Sequence, residues 1–145
     1  MLEQAVSAVA FLTMAASALG LWYLGALLSW SPLVLVPQAG AILLMIWARL
    51  TFGRRSFHAT AGATAGGLVI SGPYRYIRHP IYTSVCLFVW AGALAHASVS
   101  AFALAGLVVT GGITRMHLEE RSLVRRYPEY RDYSARTARM VPRVY

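Results

Sequence analysis

Two stretches without a charged side chain set the first limit on this chain. Asp, Glu, Lys and Arg are all missing from Gln4 to Ala48, and again from Pro80 to Thr114. A helix needs roughly 20 predominantly apolar residues to cross the hydrocarbon core of a bilayer, so the first stretch is long enough for two crossings and the second for two short ones. Within lipid, every backbone amide must find its partner inside the crossing segment, which leaves helices as the way to use runs of this kind. The expected fold is therefore all-α: a polytopic membrane protein with about four transmembrane helices, a cytosolic loop and a cytosolic C-terminal segment. A cleaved leader would need a basic start, a short apolar run and a small-residue cleavage site. The chain instead starts Met1-Leu2-Glu3-Gln4 and runs apolar for much longer, so this part is read as structure.

The formal net charge of +8 raises the question of a nucleic-acid partner. All 13 basic residues are arginine, and each lies either between Arg49 and Arg78 or between Arg115 and Arg143. If helix 1 leaves the cytoplasm, both regions return to the same side, and the positive-inside rule accounts for the distribution. The partner implied by such juxtamembrane charge is the lipid headgroup layer, and no nucleic acid is expected. A single cysteine, Cys86, excludes an internal disulfide, and the isolated His58 and His96 offer no metal-ligand spacing.

Helix 1 is expected over roughly 4–28, closed by the "SWSP" segment in which Pro32 stops it. Helix 2 is expected over roughly 33–50, with Pro37 near its start and Gln38 as its one strongly polar side chain. Both read as scaffold, with Ala16, Gly20 and Gly25 as small residues that let neighbours approach. The segment from Phe52 to Ser71 carries four of the twelve glycines and reads as a cytosolic or interfacial loop whose backbone suits hydrogen bonding to a polar ligand. Helix 3 should start near Pro80, because proline is favoured in a first turn, and end near Ser98. Helix 4 shows no stop until Pro128 and should project from the membrane, followed by an Arg/Tyr-rich tail that lies on the surface or folds back.

Two motifs carry chemistry. "SGPYRYIRHPIYTS", Ser71 to Ser84, interleaves Arg75, Arg78 and His79 with Tyr74, Tyr76 and Tyr82. A plain aromatic belt with inside arginines explains the composition, but it has no need of the order Gly-Pro, Tyr-Arg-Tyr, Arg-His-Pro, Tyr. "RMHLEE", Arg115 to Glu120, puts Arg115 and Glu119 four residues apart and so on one helix face. The plain alternative is a salt-bridged helix end in the headgroup layer. Helices 3 and 4 form a hairpin, which brings the two motifs to the same side of the membrane.

Together "LVISGPYRYIRHPIYTS" and "RMHLEERSLVRRYPEYRDYSARTARMVPRVY" resemble the isoprenylcysteine carboxyl methyltransferase family, with its related bacterial and phospholipid N-methyltransferases. The resemblance covers about residues 50–145, and the chain has fewer helices before the motifs than the larger eukaryotic members. It implies an integral membrane enzyme that uses S-adenosylmethionine on a lipophilic acceptor, such as an isoprenylcysteine-like carboxylate or another isoprenoid or lipid. The implied location is a bacterial or archaeal inner membrane, with the site facing the cytoplasm. It further implies that the backbone at Leu68 and Val69 and the side chains of Tyr74, His79 and Tyr82 contact the cofactor. Glu119 resembles the family's cofactor-contacting acid on the last helix, Glu120 matches the second acid of that pair and is expected at the cofactor with it, and Arg115 resembles the arginine that faces the acceptor. Residues 1–145 are then one domain, with scaffold helices in 1–50 and a catalytic core in 51–145 in which Arg115 and Glu119 act. No metal is implied, because a sulfonium-bound methyl is already activated. Two other readings stand beside this one: an NADPH-dependent sterol-reductase-like enzyme, and a non-catalytic four-helix module or transporter.

Overall fold

The structure, a computed structural model, describes residues 1–53, 67–142 and 144. Its helices are α1 (Leu2–Tyr23), α2 (Pro32–Phe52), α3 (Pro80–His96), α4 (Val99–Arg126) and α5 (Tyr130–Arg136), with a 3₁₀ turn at Gly72–Arg75. Among the described residues there is no β-strand, and a single parallel bridge joins Ile77 to Ala138. Three helices, α1, α2 and α4, are long and apolar enough to cross a membrane, whereas α3 is a shorter apolar helix. At about 1.5 Å per residue the 17 residues of α3 rise about 25 Å, less than the roughly 30 Å of a hydrocarbon core. The second charge-free run is thus divided unequally, into one short helix and one that continues past the membrane.

The packing follows from lipid as solvent. Helix α1 lies along α4, α2 along α3, and α3 against α4. The buried positions are largely small: Ser7, Ala10 and Ser17 in α1, Ala41 and Ala48 in α2, Ala91 to Ala93 in α3, Ala101, Ala105 and Gly111 in α4. Large apolar side chains such as Leu12, Leu19, Trp22, Leu33, Val36 and Leu43 point outward. Lipid tails solvate leucine as well as a protein core does, so nothing drives these side chains inward, and close backbone approach holds the helices instead. A denser cluster of Leu21, Ala26, Val89, Ala93, Ala105 and Val108 closes the end away from the arginines.

Helix 1 ends at Tyr23, five residues before the end expected from hydropathy. The stop is Gly25, which adopts φ +66°, while the Ala26 amide donates to Leu21 O at 2.8 Å and the Gly25 amide to Trp22 O at 3.0 Å. This is the paired closure of a helix end by a left-handed residue, which glycine adopts without a Cβ penalty. Of the three small residues expected at helix contacts, Gly20 packs on Leu104, Ala16 is exposed, and Gly25 is this cap. The following chain presses on α3, where a Cβ at Gly92 would lie 2.4 Å from Ala26 O. Gln38 completes the junction, donating from Nε2 to Leu27 O at 2.7 Å and to Phe88 O at 3.3 Å. Its burial is satisfied by hydrogen bonds, as a polar group away from water requires.

Helices α3 and α4 begin where proline and serine predict: Pro80 opens α3, and the Ser98 hydroxyl accepts from the Ala101 amide at 3.2 Å, an N-cap. Most of the glycine-rich loop, residues 54–66 with His58, lies outside the described residues. The tail folds back: the Arg78 amide donates to Ala138 O at 2.8 Å and the His79 amide to Arg139 O at 2.9 Å.

Candidate functional site

The first motif reaches its place through Gly72, whose φ of +57° starts the 3₁₀ turn close against α2. A Cβ there would lie 2.5 Å from the Thr51 hydroxyl oxygen and 3.2 Å from Trp47 Nε1. The turn swings Tyr74 inward, buried and tilted on Phe52 with ring centroids 5.4 Å apart. Tyr133 of α5 pins it from the other side, its hydroxyl donating to Tyr74 O at 2.6 Å. Burial pushes the Tyr133 phenol up to about 12 and raises that of Tyr74, so both remain protonated donors at neutral pH.

The second motif approaches from α4. Arg115 is buried and reaches two other helices: Nε donates to the Tyr82 hydroxyl at 3.0 Å, and Nη1 to Ser7 O at 3.1 Å and Ser7 Oγ at 3.2 Å. Its guanidinium also lies 5.2 Å from the centroid of the Phe11 ring, within cation–π range. The Tyr82 hydroxyl donates in turn to Glu119 Oε1 at 2.6 Å. Arg115 and Glu119 share a face as the spacing requires, with a phenol from α3 set between them. An exposed ion pair in the headgroup layer does not have this burial or these partners.

His79 stands between the two glutamates, Nδ1 3.7 Å from Glu119 Oε2 and Nε2 3.3 Å from Glu120 Oε1. Glu120 turns away from the others and gathers cations: Arg78 Nε at 2.9 Å and Arg139 Nε at 3.2 Å. Arg78 Nη1 also donates to Ser134 O at 2.8 Å and to Thr137 O. The carboxylate therefore joins the start of α3, α4 and the returning tail.

These residues surround a cavity of about 270 Å³ at the arginine-rich end of the bundle. Its wall includes Gly67, Leu68, Val69, Tyr74, His79, Tyr82, Arg115 and Glu119. Of the residues expected at the site, only Glu120 is not in that wall. Several wall residues come from helices read as scaffold or from the tail: Phe11 and Met14 of α1, Met45, Arg49 and Phe52 of α2, then Tyr127, Tyr130 and Tyr133. The signal for α1 was present as a stripe: Ser7, Phe11 and Met14 are spaced by four and three, so that a polar and two bulky groups share one helix face. The Tyr130 hydroxyl is buried beside Glu120 and makes no hydrogen bond of good geometry among the described residues. Its side chain belongs to the cavity wall.

The arrangement offers a carboxylate, a guanidinium and phenolic donors at one end of an apolar chamber, a composition that suits a ligand both polar and lipophilic. No curated protein and no solved structure matches the chain. Residues 39–130 match the family model described as phospholipid methyltransferase, and they make up more than half of the chain. That span holds the collar and the helix-4 motif and ends at the first residue of α5. The chain therefore belongs to the phospholipid methyltransferase family, within the isoprenylcysteine carboxyl methyltransferase-like group, and is an integral membrane methyltransferase.

Proposed function

We propose that the chain transfers a methyl group from S-adenosylmethionine to a lipophilic acceptor at the cytoplasmic face of its membrane. The observation that carries this reading is the Tyr82 hydroxyl, held between Arg115 and Glu119 on the wall of the cavity. S-adenosylmethionine bears two cationic centres, a carboxylate, a ribose and an aromatic base, and the residues present fit that set. Glu119 answers the cations. The backbone at Leu68 and Val69 and the Tyr82 hydroxyl answer the polar groups, and Tyr74 and His79 supply aromatic wall. The buried Tyr130 phenol of the cavity wall is a further donor for a bound polar group. When bound, the sulfonium supplies a methyl carbon whose S–C bond breaks as a bond to the acceptor forms, the electron pair returning to sulfur.

The chain's own task is then position and exclusion of water. Arg115, fixed by Ser7 and Tyr82, orients the acceptor, and an anionic acceptor such as an isoprenoid carboxylate receives charge-assisted hydrogen bonds from it. An amine acceptor would pass its proton to Glu119. Phe11, Met14, Met45 and Val85 form the apolar side that takes the acceptor's hydrocarbon, and Tyr127, Tyr130 and Tyr133 cover the cytoplasmic side. Glu120 acts as a positioning residue through Arg78, His79 and Arg139.

The test is transfer of labelled methyl from S-adenosylmethionine in membranes containing the protein, against a panel of phospholipids, prenylated thiols and isoprenoid acids. Label in a lipid-extractable product, lost in Arg115→Ala, is expected. No product from any class with protein that binds the cofactor would overturn the proposed acceptor class.

A further inference from the structure

Beside the cavity lies a second cleft, of about 580 Å³, between the 3₁₀ turn and the returning tail. Arg75, Tyr76 and Arg78 form one side, and Arg136, Thr137 and Arg139 the other. Among the described residues no acidic side chain lines it. Glu120, behind the wall, is shared by Arg78 and Arg139 and neutralises one of their two charges. Arg75 and Arg136 are exposed, and neither makes an ion pair among the described residues. Arg136 Nε donates to Asp132 O at 3.1 Å, which fixes its stem and leaves its charge uncompensated.

Among the described residues four guanidinium groups gather around one carboxylate, and the two exposed ones, Arg75 and Arg136, leave an excess of positive charge at a single cleft. Such a cluster is self-repelling until an anion joins it. Guanidinium forks match phosphate oxygens in pairs, and the half-exposed Tyr76 adds a phenol at the rim. The two sides are held in register before any ligand arrives, by the Ile77–Ala138 bridge and the amides of Arg78 and His79. Walls fixed in this way reduce the ordering cost of binding. The cleft is at the end of the bundle where α3 begins and α4 leaves the membrane, and Arg136 and Arg139 lie beyond the family match, which stops at 130.

We propose that this cleft is a second binding site, separate from the methyl-transfer cavity, for a phosphate anion: the phosphodiester of an anionic lipid headgroup or a soluble phosphate. The site does not depend on methyl transfer, so its test reads binding alone.

Purified protein is titrated with phosphatidylglycerol, with phosphatidylcholine and with inorganic phosphate, using native mass spectrometry for the lipids and thermophoresis at low salt for phosphate. The variants are Arg75→Gln/Arg136→Gln and, as control, Arg131→Gln, an exposed arginine outside the lining. Saturable binding of phosphatidylglycerol over phosphatidylcholine is expected, weakened at least about tenfold in the double variant and unchanged in the control. The same pattern with inorganic phosphate assigns the site to soluble phosphate, and binding of phosphatidylglycerol alone assigns it to the headgroup. Should the double variant fail to fold by circular dichroism, Arg75→Gln alone carries the test with the same direction. No saturable binding of either probe, or equal losses in Arg131→Gln and the cleft variant, would overturn the proposal.

Discussion

A tyrosine hydroxyl has one proton to give and lone pairs to receive, and at Tyr82 both are used: Glu119 takes the proton and Arg115 donates to the oxygen. Tyr82→Phe leaves both ionic partners short of a hydrogen bond, at a cost of about 1–3 kcal/mol for each group stranded. We expect weaker cofactor binding from Tyr82→Phe in calorimetry, together with a lowered thermal midpoint. Ser7→Ala keeps the Ser7 carbonyl for Arg115 and removes only the hydroxyl, so its loss should stay near 1 kcal/mol. A loss equal to that of Tyr82→Phe would show that the α1 hydroxyl, not the phenol, anchors the arginine. The collar and the Arg115/Glu119 turn were legible because each motif keeps its chemistry within about a dozen residues. Ser7 and Phe11 were not, since their partner lies 108 positions away from Ser7 and a serine in an apolar helix has many other uses. Glu120 shows the other kind of gap: consecutive helical residues point about 100° apart, so beyond His79, which both carboxylates approach, Glu119 meets Tyr82 and Glu120 meets Arg78 and Arg139.

Elements were legible where a local stop or start signal agreed with hydropathy. Pro80 and Ser98 set α3 and α4 to the residue, and Pro128 ended the long helix after Arg126. At the end of α1 the signals disagreed, because Ala26, Leu27 and Leu28 continue the apolar run while Gly25 reverses the backbone, and the backbone decided. The tail's return is clasped in part by Glu120, whose side chain is about one-eighth exposed, so removing it takes away the one carboxylate that Arg78 and Arg139 share. Glu120→Ala should release the tail, seen as hydrogen exchange at the Arg78 and His79 amides at least about tenfold faster, on the scale of breaking a buried pair. Arg139→Ala should do much less, since Arg139 is about one-third exposed and such pairs contribute little. Equal acceleration in both would move the clasp from Glu120 to the backbone bridge. Tyr133 gives the same clasp a pH limit. Its folded value of about 12 lies above the ordinary value near 10, so the unfolded form loses its proton first and stability falls as pH rises through that window. Protection of these amides, after allowance for base-catalysed intrinsic exchange, should be steady up to about pH 9 and fall above pH 10, and Tyr133→Phe should reduce that alkaline step, leaving the share of the buried Tyr74 and Tyr130 phenols.

Across the whole molecule, one end carries the described arginines, the cavity and the returning tail, while the other closes on small and aliphatic side chains. By the positive-inside rule we propose that the first end faces the cytoplasm. On a Cys86→Ser background, a cysteine at Ser100 should react with an impermeant reagent outside intact cells, and one at Arg131 should react only after permeabilisation. The reverse pattern would invert the topology. We propose that the cavity between α1, α3 and α4 holds the methyl donor. It is tested most directly by calorimetric titration of S-adenosylmethionine into purified wild type, Glu119→Gln and Trp90→Phe, the last a change in the closed end of the bundle. Saturable one-to-one binding is expected, unchanged in Trp90→Phe and weakened about tenfold or more in Glu119→Gln, as for loss of a charge-assisted contact. Saturable binding of equal strength in all three proteins, or none in the wild type, would contradict it.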